Sequence, residues 1–291
     1  MTHRAITDHT TLVVGAGYVG RRVLEEQPDT AFGLSRSSLG ADFPATTFDL
    51  DTDASLPVTL PGRYAVLYTV APSDKAGDDV RLKRLLHLLQ PAPRRFVCIS
   101  TTGVYGDHGG DMVTEETSPR TTTSRALRRL AAEALLQAWG NEYGVHIGIL
   151  RVPGIYGPDR LGIERIQKGI AVIQESDATP GNRIHVDDLV TCCIATLADE
   201  APAGIYNVGD GDYRSPTWFT KEVARQCGLT APPTISWADA QKEFSEMRLS
   251  FLRESRRIGT RKMRDVLGVI PRYANPEDGI RGSLVTDLSF P

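Results

Sequence analysis

The sequence predicts an α/β fold: a doubly wound parallel sheet with helices on both faces and a small C-terminal substrate lobe. Three observations lead there. Short apolar runs alternate with amphipathic helical patterns over the first two thirds of the chain, the signature of strand–helix–strand units. A glycine-rich turn, Gly15-Ala16-Gly17-Tyr18-Val19-Gly20, follows directly on the first apolar run. After about Gly154 the alternation loosens into glycines, prolines and short elements.

The elements follow in order. Residues 10–14 read as a strand, 18–26 as a helix, 31–35 as a second strand and 46–48 as a short third. A fourth strand over 65–70 is bounded by Pro72. Val80, Leu82, Leu85, Leu86 and Leu89 then keep helical spacing until Pro91, which cannot continue a helix. Residues 96–100 form a fifth strand. A helix over 124–139 carries Leu127, Leu130, Ala131, Ala134 and Leu135 and stops near Gly140. Residues 147–152 form a sixth strand. Regular pieces later in the chain are a helix over 187–197, a strand over 205–208 and a helix over 217–227. The expected division is residues 1–155 for nucleotide binding and 156–291 for the mixed remainder, with a stretch of about 183–208 returning to the sheet.

A chain of 291 residues is long enough for one large α/β domain with an added lobe. Its 41% hydrophobic and 24% charged content is that of an ordinary globular protein. A net charge of −3 argues against a nucleic-acid surface. The basic cluster at residues 253–264 reads as a solvated helix. No apolar run is long enough to span a bilayer, and no signal core precedes the first strand, so a cytoplasmic location is expected. Cys98, Cys192, Cys193 and Cys227 include no CxxC pair; all four read as reduced structural thiols, and no metal site is expected. Asp107-His108-Gly109-Gly110-Asp111 reads as a polar turn. Trp139, Trp218 and Trp237 read as packing anchors.

The glycine turn matches G-x-G-x-x-G, with a strand before it and a helix after it. This is the context of a Rossmann-type dinucleotide site: Gly15 permits the tight turn, Gly17 lets the backbone approach a pyrophosphate, and Gly20 lets the helix pack on the strand. Tyr18 and Val19 complete the turn, and the N–H groups at the helix start face the phosphates. Selection of the dinucleotide falls at the end of the second strand, about 20 residues after the first glycine. This chain has Gly33-Leu34-Ser35-Arg36-Ser37-Ser38 there, without an acid. Ser35 and Arg36 offer donors and a fixed charge suited to a 2′-phosphate. NADP(H) is therefore the expected cofactor, with NAD(H) as the alternative.

Four further motifs follow: Ile99-Ser100-Thr101-Thr102-Gly103-Val104-Tyr105-Gly106, Leu150-Arg151-Val152-Pro153-Gly154-Ile155-Tyr156-Gly157-Pro158, Arg183-Ile184-His185-Val186-Asp187-Asp188-Leu189 and Gly204-Ile205-Tyr206-Asn207-Val208-Gly209. With the glycine turn they resemble the extended short-chain dehydrogenase/reductase superfamily, in its nucleoside-sugar epimerase and dehydratase branch. The resemblance implies a seven-stranded parallel sheet. It implies that Thr101 holds the reacting oxygen and that Val152, Pro153 and Gly154 border the nicotinamide. It places Ala71, Pro72 and Ser100 along the cofactor and Asp49 at the adenine. It places Thr102, Tyr156, Arg183 and His185 at the substrate, and it makes a homodimer through the helices after strands four and five a possibility.

The superfamily's catalytic pair is Tyr-x-x-x-Lys, whose spacing sets both groups on one helix face and whose cation draws the phenol toward a usable base. Aligned on the trailing Ala131-Ala132-Glu133, Arg125 stands at the tyrosine position and Arg129 at the lysine position. No tyrosine occurs between Tyr105 and Tyr143. Arginine stays protonated and cannot be a general base. Arg129 can still hold ribose hydroxyls, and Arg125 can clamp an anion or bear oxyanion charge. The chain thus resembles the atypical, sugar-nucleotide epimerase-like members. Three readings stay open: an NADP(H)-dependent oxidoreductase for a small, anionic or sugar-like carbonyl or alcohol, with Thr101, Arg125, Arg129 and Tyr105 (or His185, or water, as proton source) at the reaction; a nucleoside-sugar epimerase or dehydratase; and a non-catalytic NADP(H) sensor or scaffold.

Overall fold

Successive residues of a strand point to opposite sides, so an apolar run can feed two cores at once. The first strand does this: Leu12 and Val14 enter one core, and Val13 enters the other. A computed structural model describes residues 4–5, 10–72 and 79–287. Numbered within the central sheet, the strands are β1 Thr10–Val14, β2 Ala31–Ser35, β3 Ala45–Thr47, β4 Tyr64–Tyr68, β5 Arg95–Thr101, β6 His146–Val152 and β7 Gly204–Asn207. All pair in parallel, in the order β7-β6-β5-β4-β1-β2-β3. Leu12 lies between Phe32 and Val66 in register. The switch point lies between β1 and β4, where ligands bind in such sheets.

Among the described residues the helices of nine or more residues are α1 Tyr18–Glu26, α2 Val80–Leu88, α3 Ser124–Tyr143, α4 Val186–Leu197, α5 Pro216–Gln226 and α6 Pro276–Asp287. Leu82 and Leu85 of α2 and Leu136 of α3 pack in the core with Leu12 and Phe96. Val23 of α1 and Leu189, Cys192 and Cys193 of α4 pack in the other with Val13 and Val97. The sheet is therefore covered on both faces, as its apolar runs require. Cys98, Cys192 and Cys193 are buried thiols; burial pushes those of Cys98 and Cys193 up to about 12.

Several boundaries differ from the sequence reading. α3 does not stop near Gly140 but runs to Tyr143 and ends on Gly144, whose left-handed backbone sends its N–H to the Gly140 carbonyl. Gly140 is instead a packing position, because an added Cβ would meet Ile147 Cδ1 at 2.8 Å. β4 ends at Tyr68, and the hydroxyl of the next residue, Thr69, turns to the Gly15 carbonyl. Residues 253–264 are not one solvated helix. They take in the end of the helix Glu246–Arg253, the strand Arg257–Ile258 and all but the last residue of the helix Arg261–Asp265, and the Arg256 side chain is only 11% exposed.

The C-terminal part adds short parallel pairs, Gly154–Tyr156 with Arg183–His185 and Val172–Ile173 with Thr234–Ile235. A third pair, Met112–Val113 with Arg257–Ile258, ties the loop after β5 to the chain's last third. Asp210 is buried nearby, and burial holds its carboxyl up to about 7 from an ordinary 3.8 even though the Asp212 N–H bonds to it. A raised carboxyl favours the protonated folded state. Its contribution is fully present at low pH and is lost as pH rises from about 4 through 7. Asp210→Asn is therefore expected to raise the melting temperature at pH 8 and to leave it nearly unchanged at pH 4.5. An equal effect at both pH values in thermal unfolding would sink this assignment.

Candidate active site

The glycine turn joins β1 to α1. Gly15 has φ +97°, and a Cβ there would meet Thr69 Oγ1 at 2.7 Å. At Gly20 a Cβ would lie 2.5 Å from the Gly15 carbonyl oxygen, so only glycine lets α1 start this close to β1. At Gly17 a Cβ would meet nothing within 4 Å. That open space faces a cavity of about 460 Å³ along the carboxyl ends of the strands.

The cavity is lined by the turn itself (Gly15, Gly17, Tyr18 and Val19), by Ser35 at the end of β2 and Arg36 just after it, by Asp49 beyond β3, and by Ala71 beyond β4. Phe48 and Leu50, both buried, give it an apolar wall. These residues fit a dinucleotide: backbone N–H groups and a helix N-terminus for the pyrophosphate, an apolar slot, and a cation at the far end. Tyr18 is fixed on three sides. Its hydroxyl donates to the Pro158 carbonyl at 2.7 Å, and Arg22 and Arg160 each stack on its ring at 4.0 Å. Arg160 also lines this cavity.

A second cavity, of about 540 Å³, shares Ala71 with the first. Thr101, Thr102, Arg125, Arg129, Pro72, Pro153 and Gly154 line it, so most of the residues expected at the reaction are brought together. Thr101 Oγ1 accepts the Gly103 N–H at 3.1 Å. Arg125 and Arg129 lie one turn apart on α3, and Arg129 Nη1 donates to the Val70 carbonyl at 3.4 Å. Within the described residues, no tyrosine or lysine lines this cavity.

Other expected site residues lie elsewhere. Tyr105 lines neither cavity: it is fully buried, its hydroxyl donates to Asn207 Oδ1 at 2.7 Å, and burial raises its pKa, so it is no proton source. Ser100 donates to Glu133 within the core. Val152 is buried beneath the cavity wall rather than in it. His185 is 1% exposed, takes the Asp187 N–H on Nδ1, and has Nε2 3.1 Å from Ser283 Oγ. Burial depresses it to about 4. Tyr156 packs edge-on against His185 and Phe219, and Arg183 pairs with Asp212 at 2.9 Å. These three brace the late strand and are not exposed to either cavity.

Sequence reasoning missed Arg128, Asn182, Glu254 and Arg256, which also line the second cavity. Arg128 was readable, since it is in the same helical turn as Arg125 and Arg129. Asn182 arrives just before the strand Arg183–His185, and Glu254 and Arg256 just before the short strand Arg257–Ile258; no local pattern announces that. A third cavity of about 370 Å³ lies in the lobe between Arg165, Ile173, Trp237 and Arg248. It shares Arg160 with the first cavity and Thr179 and Pro216 with the second.

A family model described as the NAD dependent epimerase/dehydratase family matches residues 78–209. Protein YeeZ of Escherichia coli (strain K12) is 30% identical over 201 residues, 66% of this chain and 66% of that protein. The dTDP-D-glucose 4,6-dehydratase of Mus musculus is 28% identical over 167 residues, 53% of this chain. The match spans 47% of that relative's own length. A functionally unknown conserved protein from Silicibacter pomeroyi superposes with a TM-score of 0.82 at 28% identity, covering 96% of this chain and 99% of the other. UDP-glucuronic acid 4-epimerase from Bacillus cereus, solved with NAD, superposes with a TM-score of 0.73 at 17% identity, covering 97% and 100%; this likeness is one of fold. Among the described residues no helix is long and apolar enough to cross a membrane, and no group of three metal-binding side chains occurs. With its seven-stranded sheet, its glycine turn and these relatives, the chain belongs to the NAD-dependent epimerase/dehydratase family, as an extended short-chain dehydrogenase/reductase lacking the Tyr-x-x-x-Lys pair.

Proposed function

We propose that this protein binds a nicotinamide dinucleotide in the first cavity and performs redox chemistry on the sugar unit of a nucleotide-linked sugar, with that unit in the second cavity. The observation that carries this reading is the junction of the two cavities at Ala71, with Thr101, Arg125 and Arg129 beside it. The relatives' names, which include dTDP-D-glucose 4,6-dehydratase and dTDP-L-rhamnose 4-epimerase, support the substrate class. The third cavity, with Trp237 and Arg248, gives the nucleoside part an aromatic and cationic place.

A dinucleotide held by the glycine turn would supply, or take up, a hydride at the substrate carbon. Thr101 holds the substrate oxygen, Arg125 bears negative charge developing on it, and Arg129 holds ribose hydroxyls. Since a guanidinium takes no proton, these residues suit reduction of a carbonyl, with solvent water protonating the alkoxide that Arg125 stabilises, better than deprotonation of an alcohol. One-way reduction is therefore the second reading, favoured by Arg125 in place of a tyrosine.

Arg36 at the rim, with no acid among Ser35, Arg36 and Ser37, supports NADP(H) over NAD(H). Fluorescence titration is expected to show NADPH binding about tenfold or more tighter than NADH, as one charge-assisted contact provides. Arg36→Ala should erase the difference. Equal binding by the unaltered protein would refute the preference, and binding of neither would refute the enzyme reading. With the tighter dinucleotide in place, UDP-glucose and dTDP-glucose are the first substrates to follow by absorbance of the reduced nicotinamide.

A further inference from the structure

The lining of the second cavity is unbalanced in charge. Four guanidinium groups reach it, those of Arg125, Arg128, Arg129 and Arg256, against one carboxylate, that of Glu254. Glu254 is already engaged, with Oε2 2.9 Å from Arg256 Nη1, and both side chains are only 11–12% exposed. The same Nη1 donates to the Gly106 carbonyl at 2.6 Å. Nε of Arg256 and Nε of Arg128 are buried without a hydrogen-bond partner among the described residues. Buried donors are ordinarily satisfied, so these two guanidinium groups keep hydrogen-bonding capacity that their protein partners do not use up.

The group is also held in place before anything binds. The Arg256 carbonyl accepts from Asn182 Nδ2 at 2.9 Å, and Asn182 Oδ1 accepts the Ile258 N–H at 2.9 Å. The Ser255 N–H bonds to Asp107 Oδ1 at 2.9 Å, and the Ser255 carbonyl takes the His108 N–H. Arg128 is carried by the long helix α3. Planar guanidinium forks are suited to the paired oxygens of a carboxylate or phosphate, and fixed forks bind them without first being ordered.

We infer that the second cavity recognises an oxyanion, a carboxylate or phosphate carried on the sugar unit of the substrate, through Arg128 and Arg256. This rests on the substrate reading above and deepens it. The neutral polar lining, Thr101, Thr102 and Thr179, is left to hold hydroxyl groups.

The test is calorimetric titration of the full chain, with and without saturating NADPH or NADH, using D-glucuronate, glucose 6-phosphate and D-glucose at low ionic strength. At least one charged sugar is expected to bind about tenfold or more tighter than glucose, as a new charged pair allows. Whichever of the two leads identifies carboxylate or phosphate. Arg128→Gln with Arg256→Gln should remove the preference. Arg256 also anchors a loop, so Arg128→Gln alone, with an unchanged melting temperature, is the second variant and should reduce the preference about fivefold or more. Equal binding of all three sugars overturns the inference, as does a preference that survives the double substitution in folded protein. If no dinucleotide binds, the enzyme reading fails while the sugar preference is still read on the cofactor-free chain.

Discussion

Arg151→Met is expected to destabilise the protein by about 3–5 kcal/mol, the cost of leaving one member of a buried ion pair alone. Arg151 Nη2 lies 2.7 Å from Glu133 Oε2, with side chains 4% and 3% exposed. Arg151 Nε also lies 3.3 Å from both Glu133 oxygens, Ser100 donates to the same carboxylate, and the guanidinium stacks on the Tyr105 ring at 4.8 Å. The pair ties α3 to β6. Chemical denaturation should show the loss as a lower midpoint, and the melting temperature should fall by roughly 10 °C. Arg151→Met with Glu133→Leu should recover part of it, because the stranded carboxylate is gone while only the Ser100 hydroxyl loses its partner. A loss below about 1 kcal/mol in the single variant would show that the carboxylate is not stranded.

Gly17→Ala is expected to leave the fold intact and to weaken dinucleotide binding by about 100-fold, because the added methyl occupies the path of the pyrophosphate. No protein atom stands within 4 Å of that methyl, so the melting temperature should stay within about a degree of the unaltered protein. Gly20→Ala makes the contrast. Its methyl would meet backbone, the Gly15 carbonyl oxygen at 2.5 Å, so stability and binding should fall together. Unchanged NADPH and NADH affinity in Gly17→Ala would remove the first cavity from consideration as the cofactor site.

Much of the sheet was legible because its information is local. Alternating apolar runs place β1, β2, β5 and β6 within about a residue of their observed ends, and the glycine turn announces itself by type and spacing. Boundaries went astray where tertiary packing decided them: Gly140 reads as a stop, yet it is a glycine because Ile147 needs the room, and the helix runs on to its cap at Gly144. The same limit explains the site. Arg125 and Arg129 were found by alignment on one helix. Tyr105 and His185 looked chemically able from their motifs, and only packing shows that both are sealed into hydrogen bonds. Glu254 and Arg256 carry no local mark, since residues 253–264 read as an exposed basic stretch until their pairing with Met112–Val113 is known.

The contact of Arg256 with the Gly106 carbonyl spans 150 residues of chain, and this has a consequence for how the protein acquires its activity. Contacts so distant in sequence close late, because a long loop must be ordered before they repay it. The family match ends at residue 209, well short of Glu254 and Arg256. A chain folded only through residue 209 would hold the glycine turn and the seven strands of the sheet but lack one wall of the second cavity. Dinucleotide affinity should therefore recover before substrate affinity during refolding, which makes the time between the two a direct readout of when the C-terminal part docks.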